Sequence, residues 1–328
     1  MNEKDLILDI KDLKTYFETN EGLVKAVDGI SYNVRNKEIL GVVGESGSGK
    51  SVTALSIMQL VPQPVGTIVG GKIKYYQNGN EIDITSLKPR SKEMRKLRGN
   101  EIAMIFQDPM TALNPVYTIG NQIIEVIKLH QKVNKKEAKE LAINMLDRVG
   151  ISSPKQRFDE YPHQFSGGML QRAMIAMSLS CNPKFLIADE PTTALDVTIE
   201  AQILQLMKEL QEEMGMAIQL ITHDLGVIGE VADRVVVMYT GTLVEKASTD
   251  EIFYNAKHPY TKGLLKSLPK IGEKKRLNPI EGSPPEMNNL PEGCYFAPRC
   301  PERHDKCIKE PEVFQISEGH TVKCWLYE

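Results

Sequence analysis

The octapeptide Gly44-Glu45-Ser46-Gly47-Ser48-Gly49-Lys50-Ser51 has the residue types that hold a polyphosphate. It fits G-x-x-x-x-G-K-[ST], follows the apolar run Ile39–Val43 and precedes a helix-compatible segment, 52–60, which is the setting this motif requires. Glycines let the backbone wrap phosphates with its N–H groups turned inward. Lys50 would bring positive charge to the β- and γ-phosphates, Ser51 could ligate Mg²⁺, and the helix N-terminus adds favourable partial charge. A second segment, Phe185-Leu-Ile-Ala-Asp-Glu-Pro191, delivers two carboxylates at the end of a buried strand. Downstream of a phosphate loop such a pair needs a cation: Asp189 would hold Mg²⁺ and Glu190 would act as general base toward water. A third, Phe165-Ser-Gly-Gly-Met-Leu-Gln-Arg172, sets Ser166, Gly167 and Gly168 at the start of a helix running to about 180. That is either a plain N-cap or a second anion-binding device. Since one loop already holds this chain's phosphates, the second makes most sense facing the nucleotide of another subunit.

Cysteine usage is lopsided. Cys181 stands alone in the body and reads as a buried core residue, whereas Cys294, Cys300, Cys307 and Cys324 are spaced C-x5-C-x6-C-x16-C near the end. In a reducing compartment disulfides are disfavoured, so four thiolates suggest a tetrahedral Zn²⁺ or an iron–sulfur cluster, with unligated thiols as the alternative. The spacing matches neither a short C-x2-C ribbon nor a ferredoxin, and His304 and His320 lie near enough in sequence to replace a cysteine. A small tail with little core gains from such a staple.

The elements that must position these groups alternate. Strands are expected near 6–17, 24–34, Ile39–Val43, 71–76, 101–106, Phe185–Asp189, Ala217–Thr222, Arg234–Tyr239 and 242–245. Ala138, Leu141, Ala142, Met145, Leu146 and Val149 fall on one helical face, as do Ile199, Ile203, Leu206, Met207, Leu210 and Met214. Between Pro109 and Pro183 strand signals nearly vanish, which predicts a helical insertion in an α/β core. From about Leu268 the chain changes character: eight of its 18 prolines lie between Pro269 and Pro311, so an irregular tail is expected.

The 328 residues allow about two domains. A hydrophobic share of 41% and a charged share of 25% exclude a disordered chain. A net charge of −3 gives no basic excess for nucleic acid or an anionic membrane. No apolar run approaches the roughly 18–20 residues of a membrane span, and the start is too charged for a secretory signal. A cytoplasmic chain is the expectation.

With these motifs in this order, residues 5–255 resemble the ATP-binding subunits of ABC transporters. The resemblance implies a phosphate-loop NTPase cassette: a RecA-like α/β core plus an antiparallel β subdomain over 1–255, with a helical subdomain at about 108–182. It implies a head-to-tail dimer with two ATP molecules between phosphate loop and signature loop. It places Phe17, or less well Tyr16, on adenine and extends the nucleotide-binding loop to Val52. It gives Gln107 a role at Mg²⁺ and the attacking water, Asp196 one in signalling across the dimer, and His223 one at the γ-phosphate. Met169 stands where the family signature usually has Gln. A thioether cannot replace the amide's hydrogen bonds, yet methionine there is common among peptide importers. The tail segments His258-Pro-Tyr-Thr-Lys-Gly-Leu-Leu265, Gly282-Ser-Pro-Pro285 and Leu290-Pro-Glu-Gly-Cys-Tyr-Phe-Ala-Pro-Arg-Cys-Pro301 look like the oligopeptide and dipeptide permease subunits, making 256–328 an irregular Cys-rich extension. That resemblance favours a [4Fe-4S] cluster over Zn²⁺ on the four cysteines. It implies a second ATPase chain as heterodimer partner, two membrane permease subunits, an extracytoplasmic solute-binding protein, no nucleic acid, and a peripheral place on the cytoplasmic membrane face. Membrane-subunit helices are expected to dock on the insertion after Gln107, including Thr111 to Pro115. The activity implied is ATP hydrolysis coupled to import of peptides; import of nickel or another solute, or a non-transport ABC ATPase, are the alternatives.

Overall fold

Two long strands, β1 (Leu6–Thr19) and β2 (Gly22–Arg35), pair antiparallel across a two-residue turn. On β1, Ile7 to Ile10 and Leu13 are buried while Lys11 and Asp12 are exposed, where the register with β2 shifts. The structure, a computed structural model, describes residues 5–77, 79–193, 195–268 and 279–328. It divides into one unit of Met1–Ser86 with Leu220–Glu328 and a second of Leu87–Gln219.

In the first unit, β3 (Ile39–Val43) is buried at all five positions, and α1 (Lys50–Ile57) follows six residues later. β4 (Gly66–Gln77) pairs with β1, and β5 (Asn80–Asp83) with β4, giving the order β2-β1-β4-β5. β4 begins five residues before the expected start because its glycines hide the alternation, and β5 is too polar to announce itself.

The second unit is mostly helical. It holds α2 (Lys92–Leu97), β6 (Ile102–Ile105), α3 (Pro109–Ala112), α4 (Ile119–His130), α5 (Lys135–Arg148), α6 (Pro154–Arg157) and α7 (Gly167–Leu179). β7 (Phe185–Asp189) then pairs parallel with β6, and α8 (Val197–Met214) follows. No strand interrupts Pro109 to Pro183. The helices start where short polar side chains can cap them: Thr118, Asn134 with Glu137 in a capping box, Ser166 and Asp196. The apolar stripes point inward except at Leu141, which is 39% exposed, and at Ile199 and Met214, which are half-buried.

The division between units falls within β8 (Ala217–Thr222). The first unit resumes with α9 (Leu225–Val231), β9 (Arg234–Tyr239), β10 (Thr242–Ser248), α10 (Thr249–Asn255) and α11 (Pro259–Lys266). β9 lies parallel to β3 and antiparallel to β10.

Part of the tail corrects the expectation of irregularity. β11 (Val313–Ser317) and β12 (His320–Lys323) form a hairpin, and β12 pairs with β10 through Glu245 and Val322. The alternation after Pro311 supplies the register, and the density of prolines before it had masked the signal. Residues 279–312 carry only short 3₁₀ turns. The stretch 269–278, expected to be irregular as well, and residues 1–4 lie outside the described residues.

Candidate functional site

In the first unit β3 delivers the chain into the loop 44–49. Gly49 caps α1 at φ +97°, where a Cβ would lie 2.3 Å from the Ala26 carbonyl, so only glycine lets the loop turn there. The Nζ of Lys50 donates to the carbonyls of Gly44 at 2.7 Å and Glu45 at 3.1 Å. The Oγ of Ser48 is buried with no hydrogen-bond partner among the described residues. An unpaired buried hydroxyl and a glycine-only cradle fit a loop that receives an oxyanion. Ser46, Gly47 and Ser51 are exposed at its rim.

Phe17 is half-buried on β1, its ring lying where a side chain on Gly66 would sit. Tyr16 is committed elsewhere: its hydroxyl donates to Asp28 at 2.6 Å, and burial together with that carboxylate pushes its ionisation far up. His223 is exposed just after β8, and Asp224 beside it caps α9 through the Gly226 N–H at 2.6 Å.

In the second unit β7 ends in Asp189, which is 5% exposed. Glu190 follows at φ +46°, a left-handed conformation that costs a non-glycine residue about 1–3 kcal/mol. Its Oε2 accepts from Gln107 Nε2 at 2.8 Å and from Thr193 Oγ1 at 3.0 Å. The structure thus brings Gln107 and Glu190 together, and adds Thr193, which sequence reasoning did not single out. A hydroxyl three residues after an acidic pair was the available signal.

Ser166 Oγ accepts from the Met169 N–H at 3.4 Å, a long cap bond, and Asp196 Oδ1 accepts from the Ile199 N–H at 3.0 Å. Ser166, Gly167, Gly168, Met169 and Asp196 line one open cleft of about 510 Å³. These helix starts present N–H groups and small side chains that could receive an anion.

The tail reaches the phosphate loop. Tyr260 on α11 accepts a hydrogen bond from the Glu45 N–H at 2.9 Å. Arg299 holds the Glu45 carboxylate with two bonds, of 2.7 and 3.1 Å. Burial opposes the guanidinium's charge, but the bonds to Glu45 and Tyr239 outweigh it and hold its ionisation above the ordinary arginine range. Neither residue was singled out from sequence, because the partner lies 215 or 254 positions away.

The four tail cysteines sit near one another without forming a ligand set. Burial pushes the Cys300 and Cys324 thiols to about 11 and raises Cys294; smaller upward contributions come from Cys294 and Cys307 at Cys300, from Cys294, Cys300 and Cys307 at Cys324, and from Cys307 at Cys294. Cys294 N–H bonds the Cys307 carbonyl at 3.0 Å, an approach that Gly293 permits at φ +79°. Among the described residues no group of three or more His, Cys, Asp or Glu is disposed to hold a metal ion. His320 is removed from the candidates: its ring bridges Glu245 at 2.8 Å and Glu251 at 3.1 Å. Cys181 is buried, with its thiol raised by burial.

Comparison with known proteins accords with this arrangement. Residues 27–193 match the ABC transporter family model, and 244–307 match the model described as oligopeptide/dipeptide transporter, C-terminal region. The oligopeptide transport ATP-binding protein AppD of Bacillus subtilis (strain 168) is 53% identical, the match covering 98% of this chain and 97% of that one. The dipeptide transport ATP-binding protein DppD of the same organism is 49% identical over 98% and 95%. A dimeric structure of the bacterial ABC transporter cassette MJ0796 superposes with a TM-score of 0.64 at 26% identity, covering 74% of this chain and 98% of that one. The chain therefore belongs to the ATP-binding subunits of ABC transporters, in the group that carries the oligopeptide/dipeptide C-terminal region. It is an ABC-type ATPase whose core is mixed α/β.

Proposed function

We propose that this chain hydrolyses ATP to energise uptake of oligopeptides or dipeptides through separate membrane subunits. The observation that carries the reading is the joint match, on one chain, to the ABC cassette and to the peptide-transporter tail. No helix among the described residues is long and apolar enough to cross a membrane, so the work passes to other subunits and the chain sits peripherally on the membrane.

In this reading the loop 44–52 and Lys50 bind the phosphates, and Phe17 stacks on adenine. Ser51 and Asp189 hold Mg²⁺, which when bound supplies charge that offsets the phosphates. Glu190 takes the proton of the attacking water, Gln107 and His223 orient it, and Thr193 fixes the carboxylate. Ser166, Gly167, Gly168 and Asp196 serve the nucleotide of a second ATPase chain, a heterodimer partner. Two permease subunits and an extracytoplasmic binding protein complete the complex. A gentle detergent pull-down from native membranes tests this: two multispanning proteins and a second ATPase are expected, and ATPase activity of the reconstituted complex should rise with peptide-loaded binding protein. Purely soluble partners would sink the reading.

The finer part of the proposal concerns the tail. The nearness of Cys294, Cys300 and Cys307 to Cys324, whose thiol they help to raise, supports a shared [4Fe-4S] cluster, with Zn²⁺ as the alternative; among the described residues the side chains as placed hold no metal-ligand group. Iron, acid-labile sulfide and zinc analysis of chain purified without oxygen decides. A metal-free chain with normal stability removes the site.

A further inference from the structure

An acidic residue in a loop that binds polyphosphate works against the ligand. Like charges a few ångströms apart repel one another at a protein surface. Glu45 is such a residue, the second of the loop. Its charge is met by Arg299, whose side chain is 4% exposed and grips both carboxylate oxygens. Arg299 is itself built in: Nε donates to the Glu281 carbonyl at 3.1 Å and Nη1 reaches the Tyr239 hydroxyl at 3.4 Å. Beside it Phe296 packs edge-on against Tyr239 and Tyr260, with ring centroids 5.2 and 5.4 Å away. Tyr260 then takes the Glu45 N–H, and Lys50 takes the Glu45 carbonyl. Pro284, Pro285 and Met287 share a cleft of about 90 Å³ with Glu45, Ser46 and Ser48. A bidentate ion pair, here half-buried, fixes direction where an apolar contact would slide.

We propose that Arg299 is a positioning residue for ATP: from the tail, it neutralises and pins Glu45 so that the phosphate loop accepts the nucleotide. The tail is then part of the nucleotide site. This rests on the ATPase reading above.

The test is titration of the full chain with a fluorescent ATP analogue in the presence of Mg²⁺. Arg299→Met keeps the packed stem and should weaken binding about tenfold, the size of one charged hydrogen bond. Arg299→Lys should recover most of it. Glu45→Gln added to Arg299→Met should bring affinity back to within about threefold of the native chain, because the uncompensated charge is gone. Unchanged affinity in a folded Arg299→Met chain overturns the proposal. So does a loss that Glu45→Gln fails to reverse, since Arg299 then acts elsewhere. Should Arg299→Met fail to fold, Arg299→Met with Glu45→Met removes both charges together: near-native affinity supports the proposal and a tenfold loss overturns it. Absence of binding by the native chain would instead overturn the ATPase reading.

Discussion

The side-chain amide of Gln107 donates to the Glu190 carboxylate at 2.8 Å, joining a residue two positions past the end of β6 to the one that follows the end of its parallel neighbour β7. Two residues 83 positions apart are thereby held as one polar unit. A carboxylate held by an amide and a hydroxyl keeps a fixed direction, which suits a group that must meet a water molecule.

Glu190→Gln is expected to lower ATP turnover by about 10²–10⁴-fold, the range for loss of a general base. Nucleotide affinity should stay within a few-fold, because the amide keeps the shape. Phosphate release measured beside filter binding of labelled ATP separates the two. Native-rate turnover would remove Glu190 from the role.

Thr193→Val deletes the hydroxyl that donates to Glu190 at 3.0 Å. A hydrogen bond to a charged group is worth about 1.5–3 kcal/mol, so kcat should fall about tenfold or more with KM little changed. Thr193→Ser should restore the rate. A KM effect alone would place Thr193 in binding.

The fold was legible where the chemistry is local. β3 and β7 follow from short apolar runs, β8 and β9 from mostly apolar ones, and the phosphate loop announces its own strand and helix. The helical stretch from Pro109 to Pro183 was legible from period alone. What escaped was relational: β5 is too short and polar to stand out, the β11–β12 hairpin follows a run of prolines that hides it, and Tyr260 and Arg299 gain meaning only when folding carries them to Glu45. Likewise His320 looks like a metal ligand in sequence, and its commitment to Glu245 and Glu251 appears only in three dimensions.

The loop glycines are expected to respond unequally to alanine. Gly47 has φ +77° and open space around a Cβ, so Gly47→Ala should cost only about 1–2 kcal/mol, the price of a left-handed residue. Gly49→Ala adds backbone overlap with Ala26 and should lower the melting temperature further and abolish nucleotide binding. Equal effects in calorimetry would mean that the loop relaxes away from Ala26.

His258 is fully buried and its imidazolium is held down to about 3 by desolvation, with Lys262 adding to the effect. Its Nδ1 accepts from the Tyr260 N–H at 3.1 Å, and its backbone N–H donates to the Glu245 carboxylate at 3.0 Å. The unfolded chain therefore binds this proton more readily than the folded one. The stabilisation is whole above pH 6.5 and is lost as pH falls toward 3, at about 1.4 kcal/mol per pH unit. His258→Asn keeps a cap acceptor without titrating, so its urea-unfolding free energy should fall less steeply over that window. Parallel slopes for the two chains would exclude His258 as the titrating group.

Because β12 lies against β10, the tail occupies what would otherwise be the open margin of β10. A chain cut back to the cassette would present the row of backbone amides and carbonyls of β10 to solvent, next to the buried faces of Val244 and Ala247. Such a margin recruits strands from other molecules. In the intact chain the margin passes to β11, only five residues long and entered through Pro311.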